Sequence, residues 1–205
     1  MIKPVYISEN DAPAKKRILS AALKLFVTRG LCATTVREIA AKARCTNPAL
    51  FKHFESKDAL ALHLFECCYF ALFETVFTAM AAHKSYRLRQ RALVDAYIDA
   101  LVRDSAAVLF AQENIRRFWP LASPAIRRHS ILGLIGEMLR DGLKEGTVTR
   151  TVSVEMLTVV WAGTMQQFAR MWYFGELSRE KGALAEELET ALTRAVDRRF
   201  VLSMK

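Results

Sequence analysis

Apolar residues recur every three or four positions through almost the whole of this 205-residue sequence, and no run alternates polar with apolar residues around an Asn-Gly type turn. A chain patterned this way buries helical stripes rather than pleated faces, so its expected fold is all-α. Start and stop signals divide it further. Residues 14–29 place Ile18, Ala22, Leu25 and Phe26 on one face, with Lys15, Lys16, Arg17 and Lys24 largely elsewhere, and Gly30 is a natural stop. The run Thr35-Val36-Arg37-Glu38 has the spacing of a capping box and opens a short helix to about Ala43. Thr46 caps a third helix, 47–53, with Pro48 in its first turn, where no amide hydrogen is needed, and with Leu50 and Phe51 along it ahead of Phe54. Ser56 caps a long fourth helix to about Met80, and 88–104, 106–118, 124–144, 154–174 and 181–202 read as further helices.

The net charge of +9 matters for where it lies. Residues 1–57 hold 11 Lys and Arg against 4 Asp and Glu, a balance of +7, which leaves +2 for the other 148 residues. A basic quarter on a near-neutral body is what a phosphate-binding module joined to something else looks like, although a merely solvated basic face has the same composition. The longest stretch free of charged residues, 156–169, is 14 residues. A membrane span needs about 18 to 20, so none is expected. Residues 1–10 lack the continuous apolar segment of a secretory signal, which points to the cytoplasm. Cys32, Cys45, Cys67 and Cys68 form no CxxC pair and read as reduced packing thiols.

Two short helices, 35–43 and 47–53, joined by a tight turn inside the basic quarter, have the lengths of a helix-turn-helix. The second would present Asn47, Pro48, Ala49 and Lys52 outward while Leu50 and Phe54 face in. Asn takes adenine bidentately, Lys donates to guanine, and small apolar groups meet the thymine methyl. Lys57, at the start of the fourth helix, combines an ammonium with free helix amides in an expected phosphate site, and Thr35 does the same at the second helix.

Arg17-Ile18-Leu19, Ala21-Ala22, Leu25-Phe26, Gly30, Thr34-Thr35-Val36, Ile39-Ala40, Ala43, Leu50-Phe51, His53-Phe54, Ser56-Lys57 and Leu60 together closely resemble the N-terminal pattern of the tetracycline-repressor (TetR) family. The resemblance covers about residues 12–72. It implies a DNA-binding head (12–72, helix-turn-helix about 35–54) on a divergent helical body (73–205). That body would bind a small molecule and dimerise through its last two helices in a four-helix bundle. The DNA-contacting set it implies is Thr35, Arg44, Thr46, Asn47, Pro48, Ala49, Lys52, His53 and Lys57. The sequence departs from the family at two points. Arg44 stands where the turn usually has Gly, and Phe51 replaces the usual Tyr, so it has no hydroxyl for a phosphate.

In the body, Phe70, Phe73, Phe77, Tyr97, Phe110, Phe118, Trp119, Met138, Trp161, Met165, Phe168 and Trp172 are the candidate lining of an effector site, and Met171 belongs to the same group. Their character favours a small apolar or aromatic effector, with Arg103, Arg116 or Arg170 available to a carboxylate, and no cofactor is expected. Leu157, Val160, Trp161 and Thr164, with Leu184, Leu188, Ala191, Leu192 and Ala195, supply the expected dimer face, unless that face packs within one chain. The partners are then double-stranded operator DNA, a second copy and the effector, with no membrane. The fourth helix is the expected lever between head and body. Two other functions are weighed. His63 and Cys67, four apart on one helical face and beside Cys68, suggest a metal- or redox-sensing regulator, and Asp95 with Asp99 is the one carboxylate pair an enzyme could use. No phosphate loop, nucleophile elbow or HExxH run accompanies that pair.

Overall fold

The computed structural model describes residues 4–177 and 180–197. Its helices are α1 (Pro13–Arg29), α2 (Val36–Ala43), α3 (Asn47–Phe51), α4 (Lys57–Ala81), α5 (Tyr86–Glu113), α6 (Ile115–Phe118), α7 (Pro124–Arg127), α8 (Ile131–Lys144), α9 (Val154–Tyr173) and α10 (Lys181–Val196), with a 3-10 turn at Trp119–Leu121. Among the described residues, β pairing is limited to an isolated antiparallel bridge between Val148 and Asp197. The end of the last expected helix, including Leu202, lies outside them.

Local chemistry sets the breaks. Asp104 sits inside α5 with extended backbone (φ −159°, ψ 78°), and its carboxylate accepts from the Ala107 amide at 3.1 Å, so the expected boundary at that residue is a capped restart. The expected helix 106–118 instead stops at Glu113, where the Asn114 side-chain amide donates to the Phe110 carbonyl at 2.9 Å. The expected helix 124–144 is two helices, because the Ser130 hydroxyl accepts from the Gly133 amide at 3.1 Å and begins α8 anew.

The chain forms two compact units. The first comprises residues through Ala71, within a residue of the expected division at 72, together with Arg103–Arg128, a later segment that the sequence assigns to the body. The reason it joins the head is apolar complementarity. Phe110 stacks on Phe26 at 5.8 Å, Phe118 meets Phe65 at 5.7 Å, and Trp119 meets Tyr69 at 5.0 Å. Glu66 accepts the Ser123 amide at 2.6 Å, and Arg117 pairs with Asp58 at 3.0 Å. Ile18, Leu19, Leu23, Ile39, Leu50 and Leu64 fill the rest of this core.

In the second unit, comprising Leu72–Val102 and the residues from His129 onward, α8 and α9 pack closely, and Met138, Leu139, Trp161 and Met165 are buried. Tyr97 donates its hydroxyl to the Met165 carbonyl at 2.7 Å. Helix α10 is held to α5 by Arg91–Glu189 (2.6 Å) and by the Gln90 side chain on Thr193, and Arg87 pairs with Asp197 at 2.6 Å just beyond its end.

Helix α4 is long and apolar enough to cross a membrane by composition, with a mean hydropathy of 1.5 over its best window, despite the short charge-free runs of the sequence. Half of that window is buried within the protein, as in a core helix.

Gly142 marks the tightest approach in the second unit: a Cβ there would lie 2.5 Å from Val148 Cγ2 and 2.8 Å from the Tyr86 ring. The Gly142→Ala substitution should therefore destabilise the protein by about 1–3 kcal/mol, read as a lower urea midpoint with an unchanged slope.

Candidate nucleic-acid interface

The site is built from the loop between α1 and α2 outward. Gly30, at φ 85°, ends α1 and turns the chain. Thr34, fully buried, donates its hydroxyl to the Gly30 carbonyl at 2.9 Å. Thr35 and Glu38 complete the expected capping box: the Glu38 amide reaches the Thr35 hydroxyl at 3.3 Å and the Thr35 amide reaches the Glu38 carboxylate at 2.8 Å. These backbone and hydroxyl bonds, followed by the one from Arg29, hold the Glu38 carboxyl below its usual range. The Thr35 hydroxyl also donates to Glu38, so its bonds are spent on starting α2.

After α2 the chain turns at Arg44, which is left-handed (φ 54°, ψ 50°) and is the one non-glycine residue with positive φ among the described residues. The Arg44 and Cys45 amides close the helix on Ala41 and Ala40, and the Arg17 guanidinium donates to the Ala43 carbonyl at 3.0 Å. Thr46 then caps α3 through the Ala49 amide at 3.3 Å. The recognition helix is shorter than expected, ending at Phe51, and Lys52 and His53 follow it in a turn. Leu50 is fully buried and Phe54 nearly so, while Arg44, Thr46, Asn47, Pro48, Lys52 and His53 are exposed and Ala49 is half-buried. Phe51 is 48% exposed, so the apolar ring that replaces the family's Tyr lies on the surface rather than in the core.

Lys57 has a further task. Its ammonium donates to the Leu31 carbonyl at 2.9 Å and the Thr34 carbonyl at 2.7 Å, so two of its three N–H groups hold the α1–α2 loop. It is a positioning residue. The structure also gathers cations the sequence left scattered: Lys16, Arg17, Lys24, Lys42 and Arg44 surround an open depression of about 460 Å³ on α1 and α2. The helical register of Lys16, Arg17 and Lys24 was readable, but their meeting with Lys42 depends on how α2 crosses α1.

The other candidates resolve as follows. Phe70, Phe110, Phe118 and Trp119 belong to the first unit, and Phe110 and Phe118 are buried there in its core. In the second unit, Phe73 is buried and stacks on Phe77 at 5.6 Å, and Phe168 lies 6.1 Å from Trp172. Met138, Trp161 and Met165 are buried, Met165 with its carbonyl on the Tyr97 hydroxyl, and among the described residues the Trp161 indole N–H has no partner. His63 Nε2 lies 3.8 Å from Cys67 Sγ, but burial, with Lys15 nearby, holds the imidazole below its usual range, and burial pushes the Cys67 thiol up. Both are neutral near pH 7, and among the described residues no third His, Cys, Asp or Glu completes a metal-ligand group. Asp95 is paired with Arg91 and Asp99 with Lys181, both on the exposed side of α5.

Residues 18–64 match the model of the bacterial regulatory proteins of the tetR family. The matched segment is the helix-turn-helix head, 47 of the 205 residues. Over 150 residues (69% of this chain, 71% of the relative) it is 27% identical to the HTH-type transcriptional repressor KstR2 of Rhodococcus jostii. The solved structure of the ketosteroid transcriptional regulator KstR2 of Mycobacterium tuberculosis superposes with a TM-score of 0.79 at 22% identity, covering 95% of this chain and 99% of that one. That of FadR from Bacillus subtilis, in complex with stearoyl-CoA, gives a TM-score of 0.69 at 16% identity, covering 87% and 97%. With a tetR-family head and a repressor as relative, the chain is a DNA-binding transcriptional regulator.

Two substitutions separate shape from contact. Lys57→Met keeps the aliphatic stem but loses two charge-assisted hydrogen bonds, and should cost about 2 kcal/mol of stability in chemical denaturation. Arg44→Gly relieves the left-handed strain and should raise stability by up to about 1 kcal/mol while weakening operator binding.

Proposed function

We propose that this protein is a repressor that holds a palindromic operator as a homodimer and releases it when a small, largely apolar effector binds in the second unit. The observation that carries the DNA reading is the exposed face of the helix-turn-helix, with Asn47, Pro48 and Lys52 outward over the buried Leu50. Two such heads related by a twofold axis reach successive major grooves about 34 to 36 Å apart.

Dimerisation is supported by a face that shares Val160 and Ala191 with the expected one. Leu157, Trp161, Leu184, Leu188 and Leu192 are buried within their own unit. Met156 (54% exposed), Val159 (63%) and Val160 (37%) instead stand out from α9 at helical spacing, and Gly163 beside them leaves open space. On α10, Ala183 and Ala191 line an open depression of about 430 Å³. An apolar row of this kind is stabilised by roughly 25 cal/mol for each Å² that a second copy covers.

For the effector, Trp161 offers a buried N–H donor amid Met165 and other apolar groups, which suits an apolar molecule carrying a carbonyl or carboxylate oxygen. KstR2, described as a ketosteroid regulator, and FadR, solved with stearoyl-CoA, are consistent with that class. No cofactor is required by this reading, and the work is done in the cytoplasm, where the operator lies.

The test begins with the full chain, selecting operators from a random duplex pool. A palindrome should emerge, Asn47→Ala should relax preference at one base position per half-site, and Val159→Arg should yield a monomer by light scattering that binds at least tenfold more weakly. Mass spectrometry of the denatured protein should find a lipophilic carbonyl compound that releases the selected operator from the wild type and acts more weakly on Trp161→Phe. A monomeric wild type with no operator preference at physiological salt would overturn the reading.

A further inference from the structure

The cations of the first unit fall into two groups. Lys15 is paired with Asp11 at 2.7 Å, Arg29 with Glu38 at 2.7 Å and Arg117 with Asp58 at 3.0 Å, while Lys57 stands apart at the α1–α2 loop, donating to two of its carbonyls. Lys16, Arg17, Lys24, Lys42 and Arg44 form the second group. They rim one open depression whose other lining residues are Ser20 and Ala21, and among the described residues none of them makes an ion pair with a carboxylate. Lys16 reaches the Glu9 carbonyl and Arg17 the Ala43 carbonyl, two bonds that fix where those side chains lie without cancelling their charge.

Five like charges around one concavity repel one another, and the arrangement favours a polyanion that brings several negative groups at once. The depression has an open mouth, no aromatic floor for a base to stack on, and an aliphatic base at Ala21, so it offers charge to a backbone and nothing that would select a nucleobase. Arg44 belongs both to this rim and to the turn that leads into Thr46 and Asn47, which makes the cationic surface continuous with the start of the recognition helix.

We propose that this α1–α2 depression is a second phosphate-binding surface that engages duplex DNA flanking the half-site read by the helix-turn-helix. It adds sequence-independent affinity and lengthens the footprint beyond the bases that α3 reaches. The inference rests on the DNA-binding reading above, and its test is arranged so that the two fail differently.

The test uses the full-length dimer, a selected operator trimmed to its two half-sites, and the same operator extended by about one helical turn on each side. The variant is Lys24→Gln with Lys42→Gln, two exposed positions outside the helix-turn-helix contact set. The wild type should bind the longer duplex more tightly and with a steeper salt dependence. The double variant should lose that gain, its log–log salt slope on the long duplex falling by about 2 for each head engaged, with binding to the trimmed operator unchanged. An equal loss on both duplexes, or no loss on either, overturns the flanking surface while leaving operator recognition standing. Failure of the wild type to prefer the operator at all would instead remove the reading on which it rests.

Discussion

The geometry of the DNA-binding head depends on how the short loop between α1 and α2 is held. Its carbonyls at Leu31 and Thr34 face the Lys57 ammonium, and the buried Thr34 hydroxyl reaches back to Gly30. A loop that turns this sharply leaves carbonyls without helical partners, and each one buried unsatisfied would cost about 1–3 kcal/mol. One lysine at the first residue of α4 answers two of them. It thereby fixes the loop that delivers Thr35 to its cap, and the direction of α2 follows. Since α3 follows α2 after a turn of three residues, the attitude of the recognition helix is set by hydrogen bonds that span 23 and 26 residues of sequence.

The same requirement explains why the left-handed Arg44 is tolerated. Strain at a turn persists where the surroundings over-determine it. Here the Arg44 and Cys45 amides close α2, and Arg17 holds the Ala43 carbonyl immediately before the turn. Glycine would relax the backbone but take away a cation at the junction between the recognition helix and the basic depression. A residue that costs about 1–2 kcal/mol in that conformation and is nonetheless charged is better explained by what its side chain meets than by the turn it makes.

Features fixed by local chemistry were legible in the sequence. The capping box at Thr35, the Thr46 and Ser56 caps, the Gly30 stop and the inward Leu50 are decided within a few residues, and the helices there match to within a residue or two. Features decided by packing were not. Phe110 and Phe118 look from the sequence like any other aromatic groups of a helical body, yet Phe26 and Phe65 claim them for the first unit's core. Lys57 reads as a free cation at a helix start because nothing in its neighbourhood announces that Leu31 and Thr34 will present carbonyls to it. Ser130 reads as an interior residue of one long helix because a serine that caps and a serine that points to solvent have the same one-dimensional context.

The proposed dimer face shows the limit most clearly. Periodicity marks which residues of α9 and α10 are apolar but not which partner buries them, because an intramolecular stripe and an intermolecular one have the same spacing. Helix α9 carries both: Leu157, Trp161 and Met165 turn into their own unit, and Met156, Val159 and Val160 turn out. Two apolar stripes on one helix leave little room for charge, which is why the longest uncharged run of the chain falls on it. A helix of this kind belonging to a lone subunit would expose a greasy row to water for no return, so the paucity of charge along α9 is itself a reason to expect a second copy against it.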